Sequence, residues 1–120
     1  MKYLLDTQVL IWWLEGSSRL PEEIKTIIEG KNIKLVSVAS FWEIVIKTKL
    51  KKLKLKKSLD FIVQNMEFEV LDINLNHVLG VNRLKNIHKD PFDRILIAQS
   101  IEEKCIFLTT DKLIKKYISN

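Results

Sequence analysis

The sequence predicts an α/β protein built on a parallel sheet covered by helices on both faces. Two observations carry this. Short, nearly continuous apolar runs alternate along the chain with longer stretches at helical spacing. The runs also lack the apolar–polar alternation of a sheet with one wet face. Strands buried on both sides read this way, and parallel strands need helical crossovers between them. The chain has 120 residues, 47% hydrophobic and 29% charged, enough for one core and too few for two. A single domain over residues 1–120 is therefore expected.

Each element follows from local signals. Lys2 to Leu5 reads as a buried strand ending at Asp6. Thr7 to Glu15 carries Val9, Trp12 and Trp13 at helical spacing, and Gly16-Ser17-Ser18 breaks it. Pro21 suits the first position of a second helix, with Glu22 and Glu23 in its first turn and Gly30 at its close. Lys34 to Val38 is a second strand. Ser40-Phe41-Trp42-Glu43 opens a third helix through Ile44, Ile46 and Leu50, and the stretch KLKKLKLKK either ends it or carries it into a loop. Ser58 caps a short helix, and Glu67 to Ile73 is a third strand. Leu75 to Leu84 is helical, with His77, Val78, Val81 and Leu84 on one face. Asp90-Pro91-Phe92-Asp93 starts a long helix to Glu103. Cys105 to Leu108 is the last strand, followed by Thr109-Thr110-Asp111 and a short helix.

Composition excludes several classes. The longest unbroken apolar run, Val9 to Leu14, falls far short of the roughly 20 residues that span a bilayer. Asp6 interrupts the N-terminus before a signal-peptide hydrophobic stretch develops. The lone Cys105 excludes an internal disulfide and any Cys-based zinc site, so a cytoplasmic protein without membrane contact is expected. The net charge is +5 and the pI near 9.3. Lys47, Lys49, Lys51, Lys52, Lys54, Lys56 and Lys57 concentrate it in one stretch. Such a surface suits a polyanion, and equally suits a solvated lysine-rich face.

In open parallel sheets, sites form beyond the carboxyl ends of the strands. Five acids fall there: Asp6 after the first strand, Glu43 after the second, Asp90 and Asp93 at the start of the long helix, and Asp111 after the last strand. Most have an ordinary explanation. Ser40 with Glu43 forms an S-x-x-E capping box, Asp90 is a good N-cap before Pro91, and Asp111 can cap the last helix. Asp6 resists this reading, because an unpaired carboxylate closing an apolar strand is costly. A cation would offset that cost and let several carboxylates converge. Oxygen donors without cysteine or a histidine pair favour Mg²⁺ or Mn²⁺ over Zn²⁺. Phosphodiester hydrolysis by a metal-activated water uses such a constellation and needs no nucleophilic side chain. The sequence offers no G-x-S-x-G elbow and no phosphate-binding P-loop.

The strings LLDTQVLIWWL (4–14), SVASFWEIVIK (37–47), HKDPFDRILIAQ (88–99) and LTTD (108–111), with the spacing from His77 through Leu84, together resemble the PIN-domain family. More narrowly, they resemble its VapC-type toxins of prokaryotic toxin–antitoxin pairs. The resemblance covers nearly the whole chain and implies a three-layer α/β/α sandwich with a central parallel sheet. It implies a Mg²⁺- or Mn²⁺-dependent endoribonuclease, usually homodimeric, inhibited by a small antitoxin. By the same resemblance, Asp6, Glu43 and Asp93 match the three central acids, which bind metal and act in catalysis, and Asp111 matches a fourth. Thr7 and Thr110 match hydroxyls that steady the acids or a metal-bound water. Asp90 reads as a helix cap first and a group behind the acids second.

Arg94 can pair with a site carboxylate or reach a phosphate. Lys47, Lys49, Lys51 and Lys52 are candidate contacts for the RNA backbone. The lysine stretch holds no aromatic residue, so no base recognition is expected from it. His77, on an apolar face, reads as a packed, hydrogen-bonded histidine, and His88 as a residue that orients the loop before Asp90. Of Trp12 and Trp13, one is expected in the core; the other faces a subunit or antitoxin partner, or packs in the core as well. Two rivals stand beside the nuclease. A phosphorylation-receiver domain would need paired acids after its first strand and a lysine after its last, and this chain has a lone Asp6 and LTTD. A catalytically silent PIN-like module that binds RNA or protein would keep the fold without cleavage.

Overall fold

A computed structural model describes residues 1–85 and 90–118. Its elements are β1 (Lys2–Leu5), α1 (Thr7–Glu15), α2 (Glu22–Glu29), β2 (Ile33–Ser37), α3 (Val38–Lys49), α4 (Leu59–Asn65), β3 (Glu69–Leu71), α5 (Leu75–Arg83), α6 (Pro91–Glu102), β4 (Ile106–Leu108) and α7 (Lys112–Ile118). The sheet has the order β3-β2-β1-β4, and every pairing is parallel. Register pairs Leu4 with Leu35 on one side and with Phe107 on the other.

Helices cover both faces. Side chains alternate across a strand, so Tyr3 and Leu5 pack into one cluster with Val9, Leu10 and Ile11 of α1 and Ile24 and Ile28 of α2. Leu4 faces the other cluster, with Leu96 and Ile97 of α6 and Ile114 of α7. Helix α3 serves both, through Ile44 and Ala39 respectively. This is the expected three-layer sandwich. Trp12 and Trp13 both pack part-buried against the first cluster, with Trp13 tilted over Phe68 at 6.5 Å. Among the described residues, no helix is long and apolar enough to cross a membrane.

The third helix begins earlier than its sequence suggests. Ser37, and not Ser40, is the N-cap, its hydroxyl accepting from the Ala39 N–H at 3.0 Å. Ser40 is thereby inside the helix and fully buried, and the capping box expected between Ser40 and Glu43 does not form. The sequence S-V-A-S offers two serines, and the earlier one ends the strand where the chain must turn.

Three helices end alike. After α1, the Ser17 N–H bonds the Trp12 carbonyl and the Gly16 N–H bonds that of Trp13. After α3, Lys52 bonds Lys47 and Lys51 bonds Thr48; after α6, Cys105 bonds Ser100 and Lys104 bonds Ile101. This is the Schellman closure, which needs one left-handed residue. Gly16 takes that conformation at φ 62°, but Lys51 and Lys104 take it at 57° and 56°. A Cβ is unfavourable there.

His77 is fully buried beneath α6. Its Nδ1 accepts from the Asn74 N–H at 3.1 Å, and its Nε2 lies 2.8 Å from Glu103 Oε2. The packed, hydrogen-bonded reading of this residue therefore holds. The thiol of Cys105 is half-buried, and burial pushes its pKa up.

Two substitutions test the helix ends. Lys104→Gly should raise unfolding stability by about 0.5–1 kcal/mol, because it releases a left-handed side chain. Gly16→Ala should lower it by about 1 kcal/mol, and from backbone strain alone, since a Cβ there meets nothing within 4 Å. Urea unfolding of the two variants checks both signs.

Candidate active site

The chain runs outward from β1 to β2 and β3, then returns to place β4 on the other side of β1. The crevice of such a sheet opens at this reversal, beyond the carboxyl ends of the central strands. A cleft of about 320 Å³ lies there, lined by Asp6, Thr7, Glu43, Lys47, Asp90, Asp93, Thr110 and Asp111, together with Gln8. Four segments far apart in sequence build it: the β1–α1 junction, α3, the start of α6 and the loop after β4.

Asp6 is the anchor. Its backbone N–H extends the β1–β4 ladder to the Leu108 carbonyl at 2.9 Å, and its residue surface is 8% exposed. The Thr109 hydroxyl donates to Asp6 Oδ2 at 2.7 Å, and that same oxygen of Thr109 accepts the Asp111 N–H at 3.0 Å. Burial raises the Asp6 pKa above its ordinary 3.8. The Thr109 hydrogen bond and the Thr7 backbone N–H oppose this rise, the negative charge of Glu43 adds to it, and the Gln8 N–H again opposes it. The two backbone contacts fall outside proper capping geometry.

Glu43 lies in the second turn of α3, its side chain 12% exposed. Lys47, one turn on, puts its ammonium 3.2 Å from Glu43 Oε2. Oε1 is buried without a hydrogen-bond partner among the described residues. Asp90 caps α6, with Oδ1 accepting the Phe92 N–H at 2.8 Å and the Asp93 N–H at 3.4 Å, and so sets where Asp93 projects. Asp111 caps α7 through the Leu113 and Ile114 N–H groups. Asp90 and Asp111 are therefore caps that also line the cleft. The Thr7 hydroxyl shares a 2.8 Å hydrogen bond with Ser40, tying α1 to α3 beneath the acids.

All four expected acids, with Thr7, Asp90, Thr110 and Lys47, share this cleft. Lys52 lines an adjoining groove, while Lys49 and Lys51 line neither. The Arg94 guanidinium donates to the Val81 and Lys85 carbonyls near the end of α5. His77 is remote from the cleft, and His88 lies outside the described residues. Sequence reasoning missed Thr109, the hydroxyl that holds Asp6. The doublet Thr109-Thr110 was the available signal, since the residue continuing the strand pairs beside Asp6 and the next one turns away.

Oxygen donors alone fit a hard divalent cation, and the unpartnered Glu43 Oε1 leaves a lone pair for one. Yet among the described residues, no three carboxylate, imidazole or thiol groups stand close enough to grip one ion together. Metal binding would have to draw the acids inward.

Fold and cleft define a parallel α/β protein with an acidic site at its topological switch point. The sequence matches the PIN domain family over residues 3–118, and the chain belongs to that family. No curated protein matches it in sequence. In fold it is similar to VapBC2 from Rickettsia felis, solved bound to a DNA fragment from its promoter. The TM-score is 0.72 at 17% identity, over 98% of this chain and 93% of that one. It is also similar to a toxin–antitoxin complex from Klebsiella pneumoniae, with a TM-score of 0.65 at 18% identity, over 91% and 86%. At these identities the likeness is one of fold.

The raised Asp6 pKa has a definite sign. Between 3.8 and the folded value, the native state binds more protons than the unfolded state, so stability falls as pH rises through this window. Asp6→Asn should therefore raise the thermal midpoint at pH 7, with the gain shrinking toward pH 4. Thr109→Val should cost about 1–3 kcal/mol at pH 7, because it strips a buried carboxylate of its donor. Melting curves of both variants across pH check the pair.

Proposed function

We propose that this protein is a VapC-type toxin, an endoribonuclease dependent on Mg²⁺ or Mn²⁺, paired with a protein antitoxin. The observation that carries this reading is the cleft, in which Asp6, Glu43, Asp93 and Asp111 from separate segments face one space at the switch point of a PIN fold. Asp6, Glu43 and Asp93 would hold the ion, with Asp111 beside them. A bound divalent ion supplies an acidified water and offsets charge on the phosphate.

The chain's own residues do the rest. Thr109 keeps the Asp6 carboxylate fixed and, by stabilising its charged form, ready for a cation. Asp90 orients Asp93 through the first turn of α6. The Lys47 ammonium neutralises Glu43 until a cation or phosphate arrives. Asp90 and Thr110 line the cleft beside the ligands, Arg94 braces α6 against the end of α5, and Lys52 meets the RNA backbone at the rim.

The antitoxin would bind away from the acidic cleft. A second groove, of about 580 Å³, lies away from the acids and presents Trp13, Phe61, Ile62, Met66 and Phe68. Apolar side chains of an antitoxin would fill it. The Rickettsia felis and Klebsiella pneumoniae structures are toxin–antitoxin complexes. A homodimer in the cytoplasm completes the proposal.

Purified protein incubated with total RNA should cleave it with Mg²⁺ or Mn²⁺ and not with chelator. Asp6→Asn, Glu43→Gln and Asp93→Asn should each lower the rate at least about 100-fold with circular dichroism unchanged. Cleavage that persists in chelator, or that is untouched in all three variants, rejects the mechanism.

A further inference from the structure

We propose that the groove next to the acidic cleft is a nucleobase subsite, which holds the base of a nucleotide flanking the scissile phosphate. This deepens the nuclease reading and rests on it. The groove, about 470 Å³, lies between the C-terminal half of α3 and the start of α6. It shares Glu43, Lys47 and Asp90 with the cleft, so an occupant of one reaches into the other.

Apart from Lys52, its remaining wall is apolar: Ile46 of α3, Leu50 at the end of that helix, and Pro91 and Phe92 of α6. Leu50 is 59% exposed, and the neighbouring Trp42 is 62% exposed. Trp42 stands nearly perpendicular to Phe92, at 80° and 5.3 Å between ring centres. Phe92 is half-buried against the second core cluster, but Trp42 is exposed and contributes little to the core. The pair does offer what a nucleobase needs, since single-stranded nucleic acids bind where aromatic rings accept stacked bases beside cations that follow the phosphates. The lysine stretch has no aromatic residue of its own, and folding brings it two from α3 and α6.

The cations are placed by the helix end. The Schellman closure of α3 bonds the Lys52 N–H to the Lys47 carbonyl at 2.9 Å, folding Lys52 back beside Lys47. The two therefore flank the groove, while Lys49 and Lys51 do not line it. A nucleotide fits this layout, with its anionic phosphate toward Lys47 and Lys52 and its flat base against Phe92. An apolar protein segment would leave the Lys52 ammonium at the groove without an anion, Lys47 alone being paired with Glu43.

The test uses mononucleotides, which contain no internucleotide bond to cut. The full chain with Mn²⁺ is titrated calorimetrically with adenosine 5′-monophosphate, uridine 5′-monophosphate and ribose 5-phosphate. At least one nucleotide should bind roughly tenfold or more tightly than the sugar phosphate. Phe92→Leu and Trp42→Leu should each erode that advantage and leave ribose 5-phosphate binding unchanged, whereas Lys52→Gln should weaken all three ligands. Trp42 is largely exposed, so its variant keeps the test open should Phe92→Leu fail to fold. Equal binding of nucleotide and sugar phosphate overturns the subsite. So does an advantage that survives both ring substitutions, or a groove closed to nucleotides by a second copy of the chain, visible as a dimer that binds none. RNA cleavage is measured on the same samples. Cleavage without a base advantage removes the subsite and leaves the nuclease standing; a base advantage without cleavage of any RNA upholds a base-binding groove and removes the nuclease, and with it the place beside a scissile phosphate.

Discussion

A single buried carboxylate governs this structure. Asp6 sits at the end of the central strand, nearly closed off from water, and its negative charge must be compensated. The compensation comes from the neighbouring strand: Thr109 donates to it, and Thr109 is itself held by the backbone of Asp111. One chain of hydrogen bonds thus links the end of β1, the end of β4 and the cap of α7. The geometry of the acidic cleft is inherited from that link.

Topology explains why the other acids gather there. With the order β3-β2-β1-β4, the chain leaves β1 on both sides, and the segments after β1, β2 and β4 all emerge at one edge of the sheet. Helices α1, α3, α6 and α7 begin at or near that edge, so their positive N-terminal ends face the acids. Carboxylates near helix N-termini are favoured by roughly 0.3–1 kcal/mol each. This lets five acids line one small space with a single lysine among them. Their remaining repulsion suits a pocket that is completed by a cation.

Much of this was legible in the chain. The alternation of buried runs and helical spacing predicted the parallel sheet, because strands covered on both faces have no polar side to display. Asp6, Glu43, Asp90, Asp93 and Asp111 stood out because each was read at a strand end or a helix start, and the family resemblance set Asp90 apart from the other four. Other features depend on distances that sequence does not encode. Two serines competed to cap α3, and tertiary packing buried Ser40 against Thr7. Thr109 was hidden beside Thr110, since only strand register decides which hydroxyl meets Asp6. The spread of useful lysines was also hidden. A left-handed Lys51, where glycine would be usual, turns the chain so that Lys47 and Lys52 meet the groove and Lys49 and Lys51 do not.

Anomalous diffraction from a crystal grown with manganese bears most directly on the proposed metal chemistry. The account predicts a scattering peak within coordination distance of Asp6 and Asp93, with Glu43 turned from Lys47 toward it. A well-ordered cleft with no peak, and Glu43 still paired to Lys47 at saturating manganese, would contradict it.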